Sequence, residues 1–345
     1  MRCVRDVPLN FSGVVDSVRR KLLIGFFSLL VALIASELAV RILAPLEARS
    51  VASSAERVGR RTFNSRGLRD IEYPSEHDTL RIVALGDSFT FGVRVKLENS
   101  WPKVLERKLR LRGLDKIEVL NAGRPGTDSA WQADFYDKAV AYYRPNLVLQ
   151  GFILNDCTRT CANCGPVKIR KLLDDLLRKS QREPRSALLD LLRYSYLRQR
   201  LTKRTHWNYT RAYVNQAPVF RRCVASFARL KQSVEAQGGM LVIVIYPLLY
   251  QLDEAYPFLE VHRKMQQIWS RQGIQSIDLT PAFFGQKETE LWLDTEDSHP
   301  NAKANQIAGT YLSEQLMPIL AQLSQPGVPQ DIATTLPQSA ASPTS

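Results

Sequence analysis

Four short blocks of this chain hold side chains suited to acyl chemistry. The first, Gly86-Asp87-Ser88-Phe89-Thr90-Phe91-Gly92, directly follows an apolar run. A serine between glycines at the end of a buried strand suits a nucleophile on a tight strand-to-helix turn, where backbone N–H groups face a developing oxyanion. The same residues also suit an ordinary helix N-cap, whereas no Gly-Lys-Ser/Thr follows to make a phosphate loop. The second block, Asn121-Ala122-Gly123-Arg124-Pro125-Gly126-Thr127, offers glycine N–H groups in a turn, and the third, Leu154-Asn155-Asp156, offers a side-chain amide. Together they can complete an oxyanion hole; taken singly, each is a plausible turn. The fourth, Asp294-Thr295-Glu296-Asp297-Ser298-His299-Pro300-Asn301, sets His299 among carboxylates, the company that a general base oriented by an acid requires. The remaining histidines, His77, His206 and His262, read as surface or helix positions.

Elements must bring these blocks together. Apolar runs at 81–86, 117–123, 146–154, 240–247 and 274–279 alternate with helical stretches, which predicts a parallel sheet covered by helices. In such sheets ligands gather beyond the carboxyl ends of the strands, where the first three blocks fall. After the fourth block a helix is expected from Ala302 to Met317, closed by Pro318.

The order GDSFTFG, NAGRPG, LND, DSHPN resembles the SGNH (GDSL) hydrolase superfamily over residues 63 to 322. The resemblance implies a flavodoxin-like three-layer α/β/α sandwich with a central parallel sheet, and ester hydrolysis or acyl transfer through an acyl-enzyme. It implies Ser88 as nucleophile, His299 as base, and an oxyanion hole from the Ser88 N–H, Gly126 and Asn155. The family's acid stands three residues before the histidine, here Glu296. Asp297, two before, is favoured as in relatives reading DxHPN, with Glu296 and Asp294 as alternatives. The third block lacks the family's leading glycine: Ile153 stands there, and Gly151 lies two residues earlier. The FNSRGLRD stretch at 63–70 and an apolar N-terminal segment resemble bacterial membrane-anchored members.

That segment is LLIGFFSLLVALIAS, fifteen uncharged residues between the Arg19-Arg20-Lys21 cluster and Glu37. It is short against the ~20 residues of a bilayer span. Two features favour an uncleaved anchor: no small-x-small cleavage pair follows closely, and Glu37 and Arg41, four apart, can neutralise each other. The expected organisation is a cytoplasmic N-terminus at 1–21, a transmembrane helix at 22–46 and a linker at 47–62. A hydrolase domain at 63–324 follows, carrying a basic helical insertion at about 157–211, and the Pro/Ser/Thr-rich tail at 325–345 is expected to be disordered. The expected location is the bacterial inner membrane, single-pass, with the catalytic domain periplasmic.

The 345 residues carry 47 Lys+Arg against 34 Asp+Glu, a formal net charge of +13. Hydrophobic content of 45% is ordinary globular usage and excludes a disordered or multi-span chain. Val167 to Arg204 alone holds twelve Lys/Arg and four Asp/Glu. Its leucines recur at helical spacing on both sides of Pro184, which predicts two amphipathic helices with basic faces outward, either solvated or lying on an anionic bilayer. No nucleic-acid-binding motif accompanies them. The insertion follows the Asn155 strand directly and is expected to shape the acyl or acceptor pocket.

Cys157, Cys161 and Cys164 have a CxxxCxxC spacing known from iron–sulfur sites, but the barrel such a site needs is not predicted. With Cys223 they can instead form a structural zinc site or, as expected in an oxidising compartment, disulfides whose pairing the spacing leaves open. No cofactor and no metal are expected in the site. The expected activity is hydrolysis of an O-acyl, acetyl-like ester on a small molecule, envelope glycan or lipid. The alternatives are a periplasmic O-acyltransferase and a non-catalytic envelope-binding protein of the same fold.

Overall fold

Each of the five apolar runs forms a strand: β1 (Leu80–Gly86), β2 (Ile117–Gly123), β3 (Leu147–Phe152), β4 (Met240–Ile245) and β5 (Gln275–Asp278). This is a computed structural model, and it describes residues 11–43, 63–157, 172, 186–214, 218–294 and 297–323. The linker at 47–62, the tail at 325–345, Cys161, Cys164, Glu296 and most of the first expected basic helix lie outside the described residues. The strands are parallel throughout, in the order β2-β1-β3-β4-β5. β1 and β3 are buried along nearly their whole length, which is why they read as continuous apolar runs rather than alternating ones.

An N-terminal helix, α1, runs Phe11–Leu43. The later helices are α2 (Ser88–Phe91), α3 (Trp101–Leu111), α4 (Ser129–Phe135), α5 (Ala187–Val214), α6 (Pro218–Glu235), α7 (Leu259–Arg271), α8 (Thr280–Phe283), α9 (Ala302–Gln315) and α10 (Met317–Leu323). Strand order and the right-handed crossover rule put α3 on one face of the sheet and α4, α6 and α7 on the other, and α9 packs against α3. On the first face the backbone of α9 approaches α3 so closely that a Cβ at Gly309 would meet Val104 Cγ1 at 2.6 Å. On the second, Phe152, Phe227 and Trp269 form a cluster of edge-to-face rings.

The chain divides into two compact units, Met1–Val51 with Asn163–Lys203, and Ala52–Ala162 with Arg204–Ser345. The second holds the sheet. In the first, Val18–Leu43 forms a 26-residue stretch of mean hydropathy 2.3, none of it buried, long and apolar enough to cross a membrane. Glu37 and Arg41 form the expected ion pair at 2.8 Å. Glu37 also accepts hydrogen bonds from the Ala187 and Leu188 N–H groups and the Ser186 hydroxyl, and so caps α5.

One expectation needs revision. The helix after the fourth block ends at Gln315, and Pro318 does not close it. Pro318 instead occupies the first turn of α10, where a missing N–H leaves no hydrogen bond unmade. His262 lies on a helix, as expected, and is 1% exposed, with Nδ1 3.0 Å from Asp278 Oδ2 and 3.2 Å from Thr280 Oγ1. Cys157 and Cys223 are joined as a disulfide, so neither is a thiolate available to a metal.

Candidate active site

Chain direction across the sheet reverses at β1, because β2 lies on one side of it and β3 to β5 on the other. The crevice beyond the carboxyl ends of β1 and β3 is therefore the topological switch point, the usual ligand site of open α/β sheets. Ser88 follows β1 and Asn155 follows β3.

The first block forms the single turn α2, seated on the ends of three neighbouring strands. A Cβ at Gly86, Gly123 or Gly151 would meet Thr90 Oγ1, Phe91 N or Thr90 Oγ1 at 2.2, 2.2 and 2.4 Å, so side chains there would expel the turn. Asp87 caps α2 by accepting the Phe89 N–H at 2.9 Å, and Gly92 ends it in the left-handed region at φ 73°. The carbonyls at the end of the turn are also held. The Asn121 amide donates to Thr90 O at 3.0 Å, and the Arg69 guanidinium donates to Phe91 O, to Gly92 O at 2.8 Å and to Val95 O at 2.5 Å. The FNSRGLRD stretch thus braces the turn that carries Ser88. Within it Asn64 accepts the Leu68 N–H at 2.9 Å, and Asp70 accepts the Asn121 N–H at 2.9 Å and pairs with Lys103 at 2.8 Å.

His299 reaches the serine from the loop before α9. Asn301 anchors that loop: it accepts the Ala304 N–H at 3.0 Å as N-cap and donates to Glu290 O and Trp292 O at 2.8 and 3.0 Å. His299 Nε2 lies 3.0 Å from Ser88 Oγ, and Nδ1 lies 2.5 Å from Asp297 Oδ1. The tautomer consistent with these contacts has Nδ1–H donating to Asp297 and Nε2 accepting the Ser88 hydroxyl. Burial opposes ionisation of Asp297, but the hydrogen bonds and charge of His299 outweigh it, and the carboxyl is pushed down to about 2. Asp297 is therefore ionised across the physiological range.

The sequence profile of the GDSL-like lipase/acylhydrolase family matches residues 84–307. The chain belongs to that family. It is accordingly an ester-hydrolysing enzyme. Among solved structures, it is similar to a psychrotrophic esterase from a Pseudoalteromonas species, at 16% identity and a TM-score of 0.42, covering 70% of this chain and 99% of that one. A lipase/acylhydrolase from Enterococcus faecalis is similar at 15% identity and a TM-score of 0.40, covering 68% and 94%. A catalytic mutant of an acetylxylan esterase from Geobacillus stearothermophilus is similar at 13% identity and a TM-score of 0.40, covering 70% and 95%. No curated protein matches the chain.

Other members of this GDSL-like site are placed as follows. Asn155 Nδ2 donates to Asp87 Oδ2 at 3.3 Å, and Ser88 Oγ lies 3.4 Å from the same oxygen, so Asn155 and Ser88 meet on one carboxylate. Gly126 lies in the exposed loop between β2 and α4, at φ 78°. Ile153, where the family has glycine, donates its N–H to Asp156 Oδ2 at 2.9 Å, so Asp156 itself builds the turn that carries Asn155. Burial pushes the carboxyls of Asp87 and Asp156 upward, and the charge of Asp87 pushes Asp156 further. Asp294 is an alternative acid in the sequence. It accepts the Asp297 N–H at 2.7 Å and pairs with Arg94 at 2.7 Å. Arg94, whose Nη1 is also 3.4 Å from Asp297 Oδ2, escaped the sequence reading. Nothing in its surroundings along the chain marks it, because its partners lie about two hundred residues away.

Proposed function

We propose that this chain is a membrane-anchored serine esterase that removes an O-acyl, acetyl-like group from an envelope glycan or lipid through an acyl-enzyme. The observation that carries this reading is the continuous chain from Asp297 through His299 to the Ser88 hydroxyl, at 2.5 and 3.0 Å. His299 Nε2 takes the Ser88 proton as Oγ attacks the ester carbonyl, and Asp297 stabilises the imidazolium that forms. The oxyanion is held by the Ser88 and Gly126 N–H groups and the Asn155 amide. Asn155 exchanges its contact with Asp87 for the new charge. His299 then returns the proton to the leaving alcohol. Water activated by the same imidazole attacks the acyl-enzyme and releases the acid and free Ser88.

An ionised Asp87 next to this oxyanion would oppose it. Burial pushes the Asp87 carboxyl upward, a shift toward the neutral form that lessens this repulsion. In the proposed placement α1 is an uncleaved anchor in the bacterial inner membrane, with the hydrolase domain on the periplasmic side. Its support is the length and hydropathy of Val18–Leu43 and the Arg19-Arg20-Lys21 cluster at one end.

The test is nitrophenyl-acetate hydrolysis by the full-length chain in detergent, wild type against Ser88→Ala, with and without an acceptor glycan. Serine-dependent release in water alone is expected, at an unchanged melting temperature. Retained turnover in Ser88→Ala overturns the nucleophile assignment, and release only with acceptor turns the reading to acyl transfer.

A further inference from the structure

The basic helix α5 carries a feature the esterase site does not use. Leu189, Leu192 and Tyr196 are 53, 57 and 59% exposed. They are spaced three and four apart, so they form one stripe along the helix, and Arg200 and Lys203 continue it. Arg193 flanks the stripe and is itself exposed, with Nη1 4.0 Å from Asp190 Oδ1. Three large apolar or aromatic side chains in a row are unfavourable in water, and a cationic border does not cover them. Together they match the composition of a helix lying in a membrane interface: apolar residues among acyl chains, tyrosine at headgroup level, and arginine and lysine reaching lipid phosphates.

The contact of Glu37 with α5 says which surface is at hand. Glu37 stands six residues before the end of the apolar stretch, about 9 Å along the helix. A carboxylate at that depth must be fully hydrogen-bonded. Arg41, the Ser186 hydroxyl and the N–H groups of Ala187 and Leu188 supply four donors at 2.7 to 3.0 Å. The first turn of α5 is thereby fastened to the polar end of α1, within reach of headgroups.

We propose that α5 lies along the headgroup layer of the bilayer that α1 crosses, with Leu189, Leu192 and Tyr196 inserted and Arg193, Arg200 and Lys203 on anionic lipid phosphates. This rests on the reading of α1 as a membrane span. The occupant of the stripe is an anionic phospholipid surface, because Arg193, Arg200 and Lys203 outnumber the single carboxylate of Asp190 beside the apolar row and a zwitterionic surface offers that basic excess no net attraction.

The test uses the full-length chain reconstituted into vesicles, with a fluorescent amino acid replacing either Leu30 or Leu192 and with lipids brominated in their acyl chains as quenchers. Vesicles are phosphatidylcholine alone or mixed with phosphatidylglycerol. Quenching at both positions is expected, with the Leu192 probe quenched more strongly in the anionic vesicles. Arg193→Gln and Arg200→Gln are each expected to lower the ratio of docked to undocked α5 about fivefold in anionic vesicles. Both should leave nitrophenyl-acetate turnover unchanged. Quenching at Leu30 without quenching at Leu192 overturns the docking of α5 and leaves the anchor standing. Quenching at neither position overturns the anchor and the docking together. Equal quenching at Leu192 in both vesicle types overturns the preference for anionic lipid.

Discussion

Arg94 Nη1 stands 2.7 Å from Asp294 Oδ2, while the other oxygen of Asp294 accepts the Asp297 N–H at 2.7 Å. Asp294 thus ties the α2–α3 loop to the loop that carries His299, and holds Arg94 3.4 Å from Asp297 Oδ2. Both oxygens of Asp297 are engaged, one by His299 and one by Arg94, which limits rotation of the carboxylate. Arg94→Gln should lower kcat about 10- to 100-fold with KM little changed, since small misplacements of catalytic groups have effects of that size. Arg94→Lys should recover part of the loss. Steady-state kinetics on a nitrophenyl ester separates the two parameters, and a change confined to KM would place Arg94 in substrate binding instead.

Asp297 and Glu296 can be ranked by substitution. Asp297→Asn removes the acceptor on His299 Nδ1 and favours the wrong tautomer, so turnover should fall by about three to four orders of magnitude. Glu296→Gln should fall far less. The reverse order would move the acid to Glu296.

Asn155→Ala should lower kcat about 10²- to 10³-fold, the usual effect of losing one oxyanion donor. The melting temperature should change little, because the turn is held by Asp156 and the Ile153 N–H rather than by the Asn155 side chain. A loss seen in KM alone would argue that Asn155 contacts only the ground state.

The pH dependence of stability follows from the buried carboxyls. Asp156 is raised in the folded state, so between its unfolded value of about 3.9 and its folded value the native protein binds more protons than the unfolded one. Its contribution is fully present below that unfolded value and is lost as pH rises through the folded value. Asp156→Asn should therefore flatten the fall in melting temperature from acid to neutral pH, with Asp87 supplying the slope that remains. Asp297 has the opposite sign: its stabilisation is present above about 3.9 and disappears as pH falls through about 2. Melting curves across this range for the wild type and Asp156→Asn provide the check.

The disulfide between Cys157 and Cys223 closes a loop with a sequence separation of 66, and both residues are buried. Replacing the pair by serine should reduce unfolding free energy by about 2–4 kcal/mol. Denaturant unfolding of the sheet domain measures it, and reduction of the wild type should reproduce the shift.

The sequence by itself determined the sheet, its parallel sense and the four blocks. Buried parallel strands are unbroken apolar runs, and glycine-rich turns at their ends are punctuation that needs no partner to be read. It also marked α1, through an uncharged run, and the basic character of α5. Only the tertiary structure decided what depends on residues distant along the chain. It set Asp297 on His299, recruited Arg94, paired Cys157 with Cys223, buried His262 on Asp278 and turned Asp156 into the scaffold of the Asn155 turn. Its strand order also brought the loops after β1 and β3 side by side. Hydrogen bonds and ion pairs of this kind act over a few ångströms between groups whose separation in sequence is arbitrary. They leave no periodic trace, and the loops that make them take their shape from the packing around them.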